Sequence, residues 1–111
     1  MRSYCDADES RRVDSGHGHW ALPFLGPEHG CVNACAAGVS YYTDVQFTPP
    51  AVHDFQEGFL VLSGTGEAEV GGQCFALRPM RSFLVPAGTR HALRSGDSRE
   101  PLVLFWFHAA P

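Results

Sequence analysis

The chain has few basic residues and no cluster of them. Its 111 residues contain 8 basic side chains against 12 acidic ones, and the formal net charge is -4. Binding to the phosphates of a nucleic acid requires clustered Lys and Arg. Arg11 and Arg12 form the only basic pair, and we interpret them as part of a solvated tail. The composition therefore argues against a nucleic-acid partner.

Long hydrophobic runs are also missing from the first part of the chain. Residues 1–20 are polar and contain no apolar run. A membrane-spanning helix needs about 20 consecutive apolar residues, and a signal peptide needs an apolar core of its own. We therefore expect no membrane partner and a cytoplasmic location.

Cysteine is sparse, and its spacing does not match a structural zinc site. The four cysteines are Cys5, Cys31, Cys35 and Cys74, and none of them forms a Cys-x2-Cys pair. Their number is too small for a disulfide scaffold. We expect buried, reduced thiols, while a labile disulfide between Cys31 and Cys35 stays open as an alternative.

No segment shows a helical period of apolar residues. Instead, apolar and polar residues alternate over 39–47, which is typical of a half-buried strand. Residues 57–63 and 102–108 carry large apolar groups on both faces, which predicts strands that are covered on both sides. Many short strands separated by Gly and Pro indicate an all-β fold, a double-sheet jelly roll.

The alternation also assigns faces to these strands. In the first predicted strand the odd-numbered residues are the more apolar ones, which favours Tyr41 as a buried side chain. In the second, the odd-numbered residues from Glu57 onward face inward, whereas Leu60 and Leu62 lie outside. This apolar outer face needs cover. Either the apolar segment 20–25 or a second subunit can supply it.

His53, Glu57 and His91 form a candidate metal site. In extended backbone His53 and Glu57 point the same way, and a later antiparallel strand can bring His91 beside them. A carboxylate on an apolar inner face is costly unless it is paired or bound to a cation. Two imidazoles and one carboxylate suit Fe, Mn, Ni, Cu or Zn. The alternative is a metal-free site in which His53 and Glu57 only hydrogen-bond each other.

Two stretches of the chain share their residue spacing with a known family. The first contains His53 and the second ends at His91. Together they resemble the cupin superfamily motifs G-x5-H-x-H-x3,4-E-x6-G and G-x5-P-x-G-x2-H-x3-N. The matching residues are His53, Glu57, Gly64, Pro86, Gly88 and His91. Two motifs in the right order are far more specific than a single His-x3-Glu.

The chain departs from these motifs at three positions. The family's first histidine falls on Ala51, its second-motif glycine on Met80 and its final asparagine on Ser95. Ala51 leaves either an open coordination position for water, O2 or substrate, or a site that has decayed toward simple ligand binding. Because Pro79 presets its own φ, we expect a type I turn with Met80 after it.

The resemblance implies a small jelly-roll cupin barrel, also called a double-stranded β-helix, that forms a homodimer. We divide the chain into a flexible arm over 1–19 and a single barrel domain over 20–111, with the motif core at 36–108. His17 and His19 end the arm between glycines, and we expect both to be exposed. The three candidate ligands would hold one divalent transition metal.

The resemblance also implies that the barrel binds or transforms a small polar organic molecule. As an enzyme the chain would be similar to cupin dioxygenases, isomerases or lyases, and as a binding module it would be similar to a sensor barrel. The fold alone does not decide between them, and no catalytic residue is assigned. Arg81 and Arg90 could meet an anionic substrate near the barrel mouth. The pocket candidates are Ala51, Tyr41, Gln56, Phe59, Arg81 and Trp106.

Overall fold

The structure, a computed structural model, describes residues 2–111, and its regular secondary structure consists almost entirely of β-strands. The strands are β1 (Val13–Gly16), β2 (His19–Leu25), β3 (Ala36–Tyr42), β4 (Gln56–Ser63), β5 (Gly66–Val70), β6 (Gln73–Leu77), β7 (Ser82–Val85), β8 (His91–Ser95) and β9 (Leu102–Ala109). Single 3-10 turns occur at Glu9–Arg11 and Pro27–His29. No helix within residues 2–111 is long and apolar enough to cross a membrane.

The strands form two antiparallel sheets. The larger sheet has the order β1-β2-β3-β9-β4-β7, and the smaller one has the order β6-β5-β8. Strand β9 is the last in the chain but lies between β3 and β4 of the larger sheet. The chain crosses to the smaller sheet after β4 and returns after β6, and it crosses again before and after β8. This topology confirms the predicted all-β jelly roll.

The hydrophobic core lies between the two sheets. Its fully buried members come from β4 and β9 of the larger sheet and from β5, β6 and β8 of the smaller one. In β9 the even-numbered residues Leu102, Leu104 and Trp106 point inward. In β4 the inner residues are Phe59 and Val61. Burial of this apolar surface is the main force that holds the sheets together.

The predicted strand over 39–47 is only partly correct, because β3 runs over Ala36–Tyr42. The chain turns after Tyr42, where the Asp44 carboxylate accepts a hydrogen bond from the Gln46 amide at 2.9 Å. The Asp44 carbonyl accepts another from the Ser95 amide at 2.8 Å. Asp side chains commonly stabilise such local turns. The alternation beyond residue 42 is therefore a feature of a turn rather than of a strand.

The other two predicted strands are confirmed as β4 and β9. In β4, Glu57 and Phe59 are 8% and 4% exposed, whereas Leu62 is 46% exposed. The predicted division into an inner and an outer face therefore holds for this strand. It follows that Glu57 is directed into the space between the sheets.

The turn between β6 and β7 is present, but its type differs from the prediction. The Arg81 amide donates to the Arg78 carbonyl at 3.0 Å, which closes a four-residue turn. Met80 has a φ of 72°, in the left-handed region. A turn with Pro at its second position and positive φ at its third is type II. The expected type I turn is therefore wrong, because Met80 adopts the conformation that the family's glycine adopts readily.

The segment before residue 20 contributes to the larger sheet. Strand β1 lies within the predicted arm and pairs with β2. Strand β2 pairs in turn with β3, so the apolar segment 20–25 belongs to the sheet and does not cover β4. The division into an arm and a barrel domain stays a prediction.

The cysteines are less buried than expected. Cys35 and Cys74 are exposed, and all four thiols are free. The prediction of buried thiols is wrong for these two because Cys35 follows an exposed turn and Cys74 lies on the edge strand β6. A contact with the Cys35 thiol raises the pKa of Cys31.

Candidate metal centre

Three separate segments bring the candidate ligands together. Glu57 is the second residue of β4, and His91 is the first residue of β8. His53 precedes β4 in a loop that bends at Asp54 and Phe55, so the expectation of extended backbone from residue 53 to 57 is wrong. The bend nevertheless leaves His53 beside Glu57.

The two imidazoles converge on a single carboxylate oxygen. His53 Nε2 lies 3.7 Å from Glu57 Oε1, and His91 Nε2 lies 3.4 Å from the same oxygen. Both distances exceed the usual range of about 2.7–3.2 Å for N–H···O hydrogen bonds. Ligand atoms that share one metal ion with bonds of about 2.1 Å lie about 3.0–3.4 Å apart. His53, Glu57 and His91 therefore form a group that could hold a metal ion.

A third histidine, His108, contacts the other oxygen of the same carboxylate. Its Nε2 lies 2.8 Å from Glu57 Oε2. His108 lies directly opposite Glu57 in the β4–β9 register. The motif spacing does not include His108, although its inward direction follows from the alternation of faces in β9, where Leu104 and Trp106 also point inward.

The electrostatics of the group favour a charged carboxylate and a neutral imidazole. Burial opposes the charge of Glu57, but the hydrogen bond to His108 and the contact with His91 outweigh burial and lower the pKa of Glu57 to about 2. Burial also lowers the pKa of His53, against the opposite influence of Glu57. A neutral imidazole has the free lone pair that a metal ion requires.

The group lies in a cavity of about 480 Å³ between the two sheets. Much of the cavity wall is apolar, with Phe59, Leu93 and Trp106 among its members. The Trp106 indole lies against Gly38, where a Cβ atom would be only 2.5 Å from the ring. The absence of a side chain at Gly38 therefore leaves room for this part of the wall.

The sequence matches a known family of protein domains. The chain matches the cupin domain family over residues 39–108, which is more than half of its length. The matched segment contains all three candidate metal ligands. This chain belongs to the cupin family. No curated protein matches the sequence closely enough to be a recognisable relative.

Solved structures show the same cupin fold. An RmlC-like cupin from Shewanella frigidimarina NCIMB 400 has a TM-score of 0.79 at 14% identity, with 100% of this chain and 93% of that chain covered. KdgF from Halomonas sp. has a TM-score of 0.77 at 19% identity, with coverages of 100% and 96%. The Cnp3 cupin domain of Schizosaccharomyces pombe has a TM-score of 0.73 at 19% identity. There, 84% of this chain is covered but only 61% of the Cnp3 chain.

The predicted pocket residues fall into two groups in this cupin. Ala51, Phe59 and Trp106 line the cavity, whereas Tyr41 and two polar candidates lie outside it. Tyr41 is on the opposite face of β3, where it stacks on Trp20 at 5.2 Å between ring centroids. The prediction that Tyr41 is the buried tyrosine is therefore wrong. It failed because the outer face of β3 is also apolar, so alternation of polarity does not distinguish the two faces.

The two polar candidates point away from the cavity for simple reasons. Gln56 lies on the outer face of β4, and its side-chain amide donates to the Ala110 carbonyl at 2.6 Å. Arg81 precedes β7 at the end remote from Glu57, and its guanidinium donates to the Ala76 carbonyl at 3.0 Å. Neither contributes to the cavity wall. Of the residues that line the cavity within the described chain, none is Lys or Arg.

Two residues that the sequence pattern argues against, one ranked below Tyr41 and one expected to be exposed, line the cavity. Tyr42 is 6% exposed, and burial raises the pKa of its hydroxyl. His19 stacks on Tyr42 with ring centroids 4.2 Å apart, so the expectation of an exposed histidine is wrong for this residue. Their positions depend on the pairing of β2 with β3, in which His19 and Tyr42 are direct partners. A polar segment beside glycines gave no signal of that pairing.

Proposed function

We propose that this cupin holds one divalent transition metal through His53, Glu57 and His91 and binds a small organic molecule in the adjoining cavity. The observation that carries the proposal is the convergence of two imidazole Nε2 atoms on Glu57 Oε1 at 3.7 and 3.4 Å. The donor set suits Fe, Mn, Ni, Cu or Zn. A bound cation of this kind supplies Lewis acidity toward an oxygen atom of the ligand.

Ala51 keeps part of the site accessible to that ligand. Its backbone amide donates to the His91 carbonyl at 2.9 Å and its carbonyl accepts from the His91 amide at 3.0 Å. The side chain at position 51 is therefore a neighbour of a candidate ligand, but it is only a methyl group. A ligand that enters the cavity can approach the metal site from this side.

The cavity wall indicates the chemistry of the ligand. Phe59, Leu93 and Trp106 offer apolar contact and limit the access of water. Trp106 Nε1 is buried and has no hydrogen-bond partner within residues 2–111, and a bound metal ion would favour an oxygen atom on the ligand. Recognition of a phosphate group usually employs Arg or Lys, and neither lines the cavity. We therefore infer a ligand without a phosphate group that carries an oxygen acceptor.

The metal site is tested by removal of its carboxylate. We expect about one transition metal ion per chain in the native protein and a loss of that metal in Glu57→Gln, because the neutral amide is a much weaker ligand. Elemental analysis after purification without chelator measures the stoichiometry. Glu69→Gln is the matched control, since Glu69 lies in β5 outside the cavity. A native protein that stays metal-free in metal-supplemented buffer contradicts the proposal.

The ligand class is tested with pairs of compounds that differ by one phosphate group. Pyridoxal and pyridoxal 5′-phosphate are one such pair, and glucose and glucose 6-phosphate are another. We expect the metal-loaded protein to bind the unphosphorylated member in preference, because the cavity offers no cationic side chain from Arg or Lys. Isothermal titration calorimetry measures both affinities. Preferential binding of the phosphorylated members would show that the inferred ligand class is wrong.

A further inference from the structure

The two oxygens of Glu57 have different neighbours. Oε1 faces His53 Nε2 and His91 Nε2, at 3.7 and 3.4 Å. Oε2 faces His108 Nε2 at 2.8 Å, which is the length of a charge-assisted hydrogen bond. One oxygen of the carboxylate thus faces the two converging imidazole nitrogens, and the other oxygen has a single hydrogen-bond partner.

The direction of the hydrogen bond between His108 and Glu57 follows from the chemistry of the carboxylate. An ionised carboxylate only accepts hydrogen bonds, so His108 Nε2 carries the hydrogen atom and donates it to Oε2. A protonated ring nitrogen has no lone pair left for a metal ion. The distances point the same way, because His108 lies outside the group of side chains in residues 2–111 whose ligand atoms are all within 4.8 Å of one another.

We propose that His108 is a positioning residue that fixes Glu57 as a monodentate metal ligand. His108 occupies Oε2, which leaves Oε1 directed toward the nitrogens of His53 and His91. This inference rests on the proposed metal binding and assigns a role to a histidine outside the family motifs. Partners of this kind orient metal ligands and raise metal affinity about 10- to 100-fold.

The ring of His108 is itself held in place. Its centroid lies 4.2 Å from the Phe55 ring and 4.7 Å from the Trp106 ring. The register of β9 against β4 sets His108 directly opposite Glu57. Packing against two aromatic rings restricts rotation of the imidazole, so the hydrogen bond has little conformational entropy left to lose.

Substitutions at position 108 distinguish the effect of the hydrogen bond on metal affinity from the effect of the volume of the ring. His108→Leu removes the donor, and we expect it to weaken Co(II) binding about 10- to 100-fold. His108→Gln places an amide donor near the position of Nε2, and we expect it to restore most of that affinity. His29→Leu is the control, because His29 is a partly buried histidine that lies outside the cavity and contacts Glu28 instead of Glu57. Competition with a chromophoric chelator measures each affinity.

The optical spectrum of the Co(II) protein provides a second readout. In His108→Leu the freed Oε2 can also bind the metal, so the visible bands should change in position and intensity, whereas those of His108→Gln should stay close to the native spectrum. If His108→Leu fails to fold, His108→Phe keeps an aromatic ring between Phe55 and Trp106 and serves in the same comparison. If the variant that lacks the donor binds Co(II) with the native affinity and shows the native spectrum, the inference about His108 is wrong, while the proposed metal binding stands. Absence of Co(II) binding by the native chain overturns it together with the proposed function.

Discussion

Ala51 places only a methyl group beside the candidate metal site. Ala51 and His91 exchange two backbone hydrogen bonds, so they form a directly opposed pair. In such a pair the Cβ atoms lie on the same face, about 5 Å apart. Both side chains line the same cavity. A longer side chain at position 51 would therefore reach the site that His91 already faces.

Ala51→His is expected to add a ligand. The new imidazole should raise metal affinity by about an order of magnitude and reduce the access of azide to the metal, because it fills a position that the native chain leaves open. Chelator competition and the azide-induced change in the Co(II) spectrum measure these two effects. Val52→His is the control, since Val52 is the next residue and is 60% exposed. Equal affinities of the two variants would mean that position 51 does not face the metal.

The sequence predicts some of these residues and not others for a physical reason. His53 and Glu57 are separated by only four peptide bonds, so their association is local, and the motif spacing supplies His91. His108 is separated from Glu57 by 51 positions, and their contact depends on the β4–β9 register. Alternation within one strand indicates the face of a side chain but does not indicate which strand lies beside it. The alternation favours Tyr41 over Tyr42 because the outer face of β3 is also apolar, and it gives no sign of His19 because the β2–β3 pairing is not visible in either strand alone.

The strands themselves are more predictable than their ends. Strands β4 and β9 agree with the sequence to within one residue at each end, because each is bounded by a turn or a proline. Strand β3 ends early at Tyr42, since Asp44 forms hydrogen bonds that favour a bend. Local competition from a short polar side chain thus overrides an alternating pattern. In the turn before β7, Pro79 likewise indicates the position of the turn but not its type.

Met80→Gly is expected to stabilise this turn. Met80 is 76% exposed and has a φ of 72°, so its side chain contributes little packing and its Cβ strains the backbone. The free energy released with that strain should exceed the cost of the added entropy of the unfolded chain. The free energy of unfolding should therefore rise by about 0.5–1 kcal/mol. Urea denaturation should show a higher midpoint with an unchanged slope. Met80→Ala keeps the Cβ and should bring no gain, so equal stabilities of the two variants would argue against backbone strain.

At the scale of the whole molecule, the outer face of the larger sheet presents exposed apolar side chains. Leu62, Leu84 and Phe107 are 46%, 48% and 43% exposed and lie on the adjacent strands β4, β7 and β9. The Phe107 ring fills the space beside Gly58, which pairs with Phe107 on one side and with Leu84 on the other. Segment 20–25 is itself part of the sheet as β2. Of the two covers that the sequence allowed, segment 20–25 does not cover β4, and we propose a second subunit in its place.

We therefore expect a homodimer in which this apolar face is buried. Phe107→Glu should convert the dimer to a monomer, because it places a charge in the middle of the apolar contact. Light scattering during size-exclusion chromatography measures the mass, and circular dichroism checks that the variant is folded. Val52→Glu introduces the same charge at an exposed position away from the sheet and should leave the dimer intact. A native chain that is monomeric at high concentration would contradict the prediction. The apolar outer face of the larger sheet would then be in contact with water in the native state.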